Sequence, residues 1–204
     1  MRTYFRKREG IVEVEQQLAE LALCGVVLEP TVSRDDLIAG ASRAELERQP
    51  YRTLLHLIGR RSGVDDASPA SLHLCRYERG GVPSPSHRGR QLQRLATMSG
   101  LPLEASTVDP DGDAALSVSV VLGDWRATHR VATAAPTLAL PTWFDGVLAA
   151  IAHPRRLYRC YADGRYYGLI AALAGDEPQG LARLTGLRLD PLSITGATVP
   201  VERR

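Results

Sequence analysis

A chain of 204 residues, 44% hydrophobic and 24% charged, has the make-up of a soluble globular protein and is long enough to fold without metal or disulfide staples. A formal net charge of +2 is too small to draw it onto nucleic acid or an anionic membrane. Cys24, Cys75 and Cys160 are an odd number without a Cys-x-x-Cys pair, which excludes a full disulfide framework and a zinc site of closely spaced cysteines.

The start, "MRTYFRKREG", is basic, but "IVEVEQQLAE" follows, with three glutamates where a signal peptide needs an apolar run. No stretch approaches the ~20 apolar residues of a membrane span. The expectation is a cytoplasmic protein, or one exported without a cleavable signal. Ile11, Val14, Leu18, Leu21 and Val26 then recur at helical spacing, with Gly25 placed to end the helix. Ser33 with Asp36, and Ser42 with Glu45, have the spacing of capping boxes and open two short helices. Pro50 suits the first turn of a further helix, "PYRTLLHLI", with Gly59 as its stop and His56 among its leucines as a partnered core or boundary residue.

Residues 60–87 are rich in Gly, Ser and Pro and read as loops around one strand, "LHLCRY"; the segment 79–89 is the candidate flap. Residues 86–98 form a helix with Leu92, Leu95 and Ala96 on its apolar side, ended by Gly100. The period then changes to two. "LEASTV" is a strand, "DPDGDA" a polar turn, and "LSVSVVLGDWRATHRVA" a hairpin around Gly123-Asp124. Its pairing puts Leu116, Val118, Val120, Leu122, Trp125, Ala127, His129 and Val131 on one face, and Ser117, Ser119, Arg126, Thr128 and Arg130 on the other. His129 alone breaks the apolar face, where a backbone or hydroxyl partner is expected for it. "PTWFDGVLAAIA" is an amphipathic helix through Phe144, Val147, Leu148 and Ile151. "LYRCYADGRYYGLI" is a second hairpin, and "DEPQGLARLTG" a last helix with Asp176 as cap and Gly186 as stop; the tail after Asp190 reads as extended and partly frayed.

These elements predict one α+β domain over 1–204, helical over about 10–60 and sheet-containing over about 70–190. N-terminal helices come first, then antiparallel β-hairpins with helices packed on one face of the sheet.

Catalytic signatures are missing: no phosphate-binding glycine loop, no Gly-x-Ser-x-Gly, no His-Glu-x-x-His. The sequence therefore implies no catalytic residue, no metal and no cofactor. Asp109, Asp111 and Asp113 have the start of a calcium loop, but the glycine sits at the fourth place and the twelfth is Val120, so a solvated turn is the reading. Cys24 and Cys160 lie in apolar patterns and read as buried reduced thiols. His73 and Cys75 alternate on a strand and would share a face. Only Lys7 among the 25 cations is lysine, a bias of the kind a GC-rich bacterial genome imposes, which weakens any single arginine as a sign of anion binding.

The strongest candidate is the second hairpin, which holds four of the seven tyrosines. With Asp163-Gly164 as the turn, Tyr161 faces Tyr166, Arg159 faces Gly168 and Leu157 faces Ile170 on one side. Tyr158 faces Leu169, Cys160 faces Tyr167 and Ala162 faces Arg165 on the other, more apolar side. Arg159, Tyr161, Arg165 and Tyr166 are then the candidate partner-binding residues, because aromatics beside arginine make protein-interface anchors. The same pattern serves single-stranded nucleic acid, the minor reading, and it also stabilises hairpins without any partner.

Across "VVLEPTVSRDDLIAGASRAELERQPYRTLLHLIG" and "YADGRYYGLIAALAGDEPQGLARLTGL" the chain resembles a group of uncharacterised bacterial α+β proteins, similar in turn to the immunity partners of bacterial toxins. That resemblance implies a non-enzymatic protein that neutralises a toxin by occluding it, and it carries no catalytic residue. Many immunity proteins are acidic, whereas this chain is slightly basic, so its target would not be a strongly cationic enzyme. The alternative from another class is a small enzyme assembled from dispersed residues such as His73, Cys75, Asp109 and His129.

Overall fold

The computed structural model describes residues 13–39, 41–64, 69–77, 84–111, 115–133, 135, 138–162, 164–193 and 199–203, without the side chains of Arg43 and Tyr166. Ile11, Asp113, Asp163 and residues 79–83 of the candidate flap lie outside them. Among the described residues no helix is long and apolar enough to cross a membrane.

The α+β class is as expected, and helices precede the strands. First come α1 (Val14–Leu23), α2 (Arg34–Ile38), α3 (Arg43–Arg48) and α4 (Pro50–Arg60). Ser33 Oγ accepts from the Asp36 amide, and Ser42 and Glu45 close a full capping box. Gly59 does not stop α4. It lies inside the helix where a Cβ would run into the Leu169 side chain, so its role is a close approach between helix and strand. The middle of the chain forms β1 (Leu74–Arg76), α5 (Pro85–Ser99), β2 (Leu103–Pro110), β3 (Ala115–Leu122), β4 (Trp125–Ala132) and α6 (Ala139–Ala150). The last part forms β5 (Arg155–Ala162), β6 (Arg165–Ala174), α7 (Glu177–Thr185), β7 (Arg188–Pro191) and β8 (Val201–Arg203).

The strands are divided between two antiparallel sheets, β1-β6-β5-β7 and β2-β3-β4-β8, where the sequence pattern suggests one. In the second sheet the hairpin at Gly123-Asp124 pairs Leu122 with Trp125 and Val118 with His129, the expected register. The tail is extended at its end, as expected, where β8 pairs with β4 as an edge strand. The His129 ring stacks on the Trp143 indole at 5.4 Å and 11°, and among the described residues no hydroxyl or carbonyl partner accompanies it.

Two cores lie on opposite faces of the first sheet. One joins Leu74, Cys160, Leu169, Ala171 and Leu173 to α1, α4 and α7. The other joins Cys75, Leu157, Ile170 and Ala172 to α5, α6 and the inner face of the second sheet. Helices therefore cover both faces of the first sheet, and α5 and α6 are sandwiched between the two sheets. This position explains why α6 is not amphipathic: Leu140, Pro141, Trp143, Phe144, Asp145, Gly146, Val147 and Leu148 are all buried.

Candidate binding surface at the second hairpin

The β5–β6 hairpin turns at Gly164, whose φ of +74° is the left-handed conformation that glycine adopts without penalty. Tyr161 pairs with Tyr166 and Ala162 with Arg165, as the sequence predicts. Beyond them the register shifts. Arg159 pairs with Ile170 rather than Gly168, Leu157 with Ala172 rather than Ile170, and Tyr158 with Ala171 rather than Leu169. The cause is a bulge on β6 at Gly168, φ +79°, whose carbonyl accepts from the Tyr77 amide at 2.8 Å. A shift by two residues keeps every side chain on its predicted face.

The faces themselves differ from the expectation. Leu157 and Ile170, on the side read as outward, are completely buried, because α5 and α6 cover that face. Its distal end stays open, and there the structure gathers Arg159 and Tyr161, both half-buried; Arg165 is exposed at the hairpin tip but is paired with Ala162 on the opposite face. The opposite face behaves as predicted: Cys160 and Leu169 are buried, and Tyr158 and Tyr167 pack against the first-layer helices.

The sequence reading lacks two residues of this surface. Strand β7 pairs with β5 so that Arg188 lies beside Tyr161 and Asp190 beside Arg159. The Arg188 guanidinium carbon sits 4.6 Å from the Tyr161 ring centroid and that of Arg159 at 5.6 Å, so one phenol ring holds two cations. Asp190 meets Arg188 at 3.0 Å, and the Arg159 Nε is buried without a hydrogen-bond partner. The signal available in the sequence was the alternation of "LRLD", in which Leu187 and Leu189 enter the core and leave Arg188 and Asp190 on the other side.

On the far side of the same hairpin Tyr167 borders a polar cleft of about 250 Å³ lined by Glu45, Arg48, Gln49, Thr53 and His56. His56 is exposed on α4 and meets Tyr167 edge-on at 5.9 Å and 61°. Partial burial, helped by the positive charges of Arg76 and Arg60, holds its imidazole below the usual histidine range.

The residues of the enzymatic alternative do not converge. The His73 ring bonds the Gly25 carbonyl at 3.0 Å on the side of the first-layer helices, while Cys75 is buried in the core on the other face. Strand β1 begins only at Leu74, so alternation does not reach His73. Asp109 is exposed on the second sheet, and His129 is on that sheet's inner face. Asp111 is paired with Arg130 at 2.6 Å, and among the described residues no group of three His, Cys, Asp or Glu side chains is placed to hold a metal ion. All three cysteines are free thiols. Burial pushes the Cys160 thiol up to about 12, which removes it as a nucleophile, whereas Cys24 is only half-buried, less than its pattern predicts.

The chain matches no protein-family model, and neither a curated protein nor a solved structure matches it.

Proposed function

We propose that the chain is a non-enzymatic protein-binding module of the bacterial cytoplasm that neutralises a toxin by occluding it. Its contact is the open end of the β5–β6–β7 surface. The observation that carries this reading is the Tyr161 ring held within reach of both Arg159 and Arg188. A half-buried tyrosine already fixed by its neighbours contributes contact area without losing side-chain freedom on binding, and tyrosine and arginine dominate interface energetics. Arg159 and Arg188 against Asp190 make the patch cationic, so the partner face it fits is acidic. The toxin as partner class rests on the resemblance of the chain to immunity proteins. The enzymatic alternative is the weaker one, because its four residues lie apart in different parts of the fold.

Co-expression and pull-down with a toxin encoded beside the gene test the reading. Tyr161→Ser should keep the circular dichroism spectrum and weaken a measured complex by about thirtyfold, the effect of losing a ~2 kcal/mol anchor. Arg188→Glu should weaken it further and slow association. A complex that tolerates both substitutions, or a toxin whose action the chain does not block, would refute this function.

A further inference from the structure

Helices α3 and α4 meet at Gln49, which caps the end of the first and the start of the second. The polar cleft beside Tyr167 lies at this junction. Glu45 and Arg48 enter it from α3, while Gln49, Thr53 and His56 enter it from α4 at the spacing that stacks side chains on one helix face. A polar stripe on a helix ordinarily faces open water, whereas this one lines a concavity shared with another helix and a strand.

The two charges in the cleft are of opposite sign and one helical turn apart. The Ser42 amide and the Ser42 hydroxyl both donate to Glu45 Oε2 at 2.8 Å, which fixes the carboxylate in place. Those bonds, with a smaller contribution from the charge of Arg48, hold its carboxyl below the usual range, so it stays ionised. A carboxylate has about four lone-pair sites, so the two Ser42 bonds leave capacity for a ligand. An anion alone would meet Glu45 and a cation alone would meet Arg48. A ligand with both signs on neighbouring atoms satisfies each.

The rest of the lining is neutral and polar. The Thr53 hydroxyl donates to the Glu45 carbonyl at 3.1 Å and the Tyr167 hydroxyl to the Arg52 carbonyl at 3.4 Å, so both oxygens are set to accept. The Gln49 amide and a neutral His56 imidazole each supply a donor and an acceptor. The volume of about 250 Å³ falls just short of the roughly 300–1,000 Å³ of sites for drug-sized ligands, which suits a molecule of amino-acid size.

We propose that the α3–α4 cleft binds a free α-amino acid with a polar side chain. Glu45 takes the ammonium, Arg48 takes the carboxylate, and the side chain lies among Gln49, Thr53, His56 and Tyr167. Tyr167 is on the opposite face of the hairpin from Tyr161, and the inference does not rest on the function proposed for the β5–β6–β7 surface.

NMR titration of the labelled full chain tests this with L-glutamine, its N-acetyl derivative, L-glutaminamide and L-leucine as probes. L-glutamine should bind saturably and shift the ring signals of His56. Removing the ammonium or the carboxylate should each weaken binding by about tenfold or more, the effect of one charge-assisted bond. L-leucine, of similar length without polar side-chain atoms, should also bind more weakly. Two variants assign the charges. Arg48→Gln should erase the preference for L-glutamine over L-glutaminamide. Glu45→Gln keeps a side chain that can close the capping box and should erase the preference over N-acetyl-L-glutamine. Circular dichroism confirms that both variants keep their helices. The proposal is overturned if L-glutamine does not bind at millimolar concentration, or if L-leucine or either derivative binds as tightly. Preferences that survive both substitutions unchanged overturn it as well.

Discussion

Asp145 is fully buried in α6 and accepts five hydrogen bonds. Arg156 grips it with two donors, Nε to Oδ1 at 3.0 Å and Nη2 to Oδ2 at 2.8 Å. The Leu157 amide donates at 2.7 Å, the Ser193 amide at 2.9 Å and the Ser193 hydroxyl at 2.7 Å. One carboxylate therefore joins a helix, the strand that carries the candidate surface and the segment after β7. Nothing in "PTWFDGVLAAIA" announces this, because the partners lie elsewhere in the chain and a lone aspartate in a helix reads as a solvated residue. Replacing it with alanine leaves the Arg156 guanidinium and three backbone or hydroxyl donors without their acceptor. Asp145→Ala should cost about 3–5 kcal/mol of unfolding free energy, measured by urea denaturation, the range for breaking one side of a buried pair. A loss below ~1 kcal/mol would mean that water replaces the carboxylate and that the junction is not structural.

At the scale of elements, legibility follows from how many faces are wet. The β3–β4 hairpin has one core face and one solvent face, so alternation gives its register residue for residue. The first sheet has cores on both faces, so its hydrophobic pattern separates no inside from outside, and the reading of Leu157 and Ile170 as outward fails for that reason. The candidate surface was half legible. Arg159 and Tyr161 follow from the Asp-Gly turn, but Arg188 comes from a four-residue strand that no local pattern assigns to β5. The bulge was hidden too, since a glycine within a strand does not say whether it is packed or left-handed. Two glycine substitutions separate these roles. Gly168 has φ +79° with no atom within 4 Å of an added Cβ, so Gly168→Ala meets conformational strain alone and should cost about 1–2 kcal/mol. Gly89 sits in α5 with equally open space and without a positive φ, so Gly89→Ala should stabilise by about 0.5–1 kcal/mol. Urea denaturation of the two variants should thus give opposite signs, and equal signs would reject the bulge as the source of the strain.

Two seams between the layers hold a histidine whose affinity for a proton burial lowers, and His56, at the edge of a cleft, is lowered in the same direction. His129 is pressed against Trp143 between the second sheet and α6, and burial lowers its affinity for a proton. His73 bonds Gly25 between β1 and the first helical layer. There burial and then the charge of Arg155 lower it, against smaller opposing effects of the Gly25 bond, Glu177 and Glu29. His56 is lowered by burial and then by Arg76 and Arg60. A histidine whose folded pKa lies below its unfolded value binds more protons in the unfolded chain over the interval between the two, so stability rises with pH there. Each of the three therefore leaves stability intact above the unfolded value near ~6.5 and removes it as pH falls toward the folded value. The expected outcome is an unfolding free energy that is flat from neutral to mildly alkaline pH and declines on acidification below about 6.5, before the carboxylates titrate. His129→Phe keeps an aromatic ring against Trp143 and deletes one titrating group, so its decline should be shallower while its stability at pH 8 stays close to wild type. A variant that loses stability in parallel with the wild type over the same pH range would show that His129 takes no part in the decline.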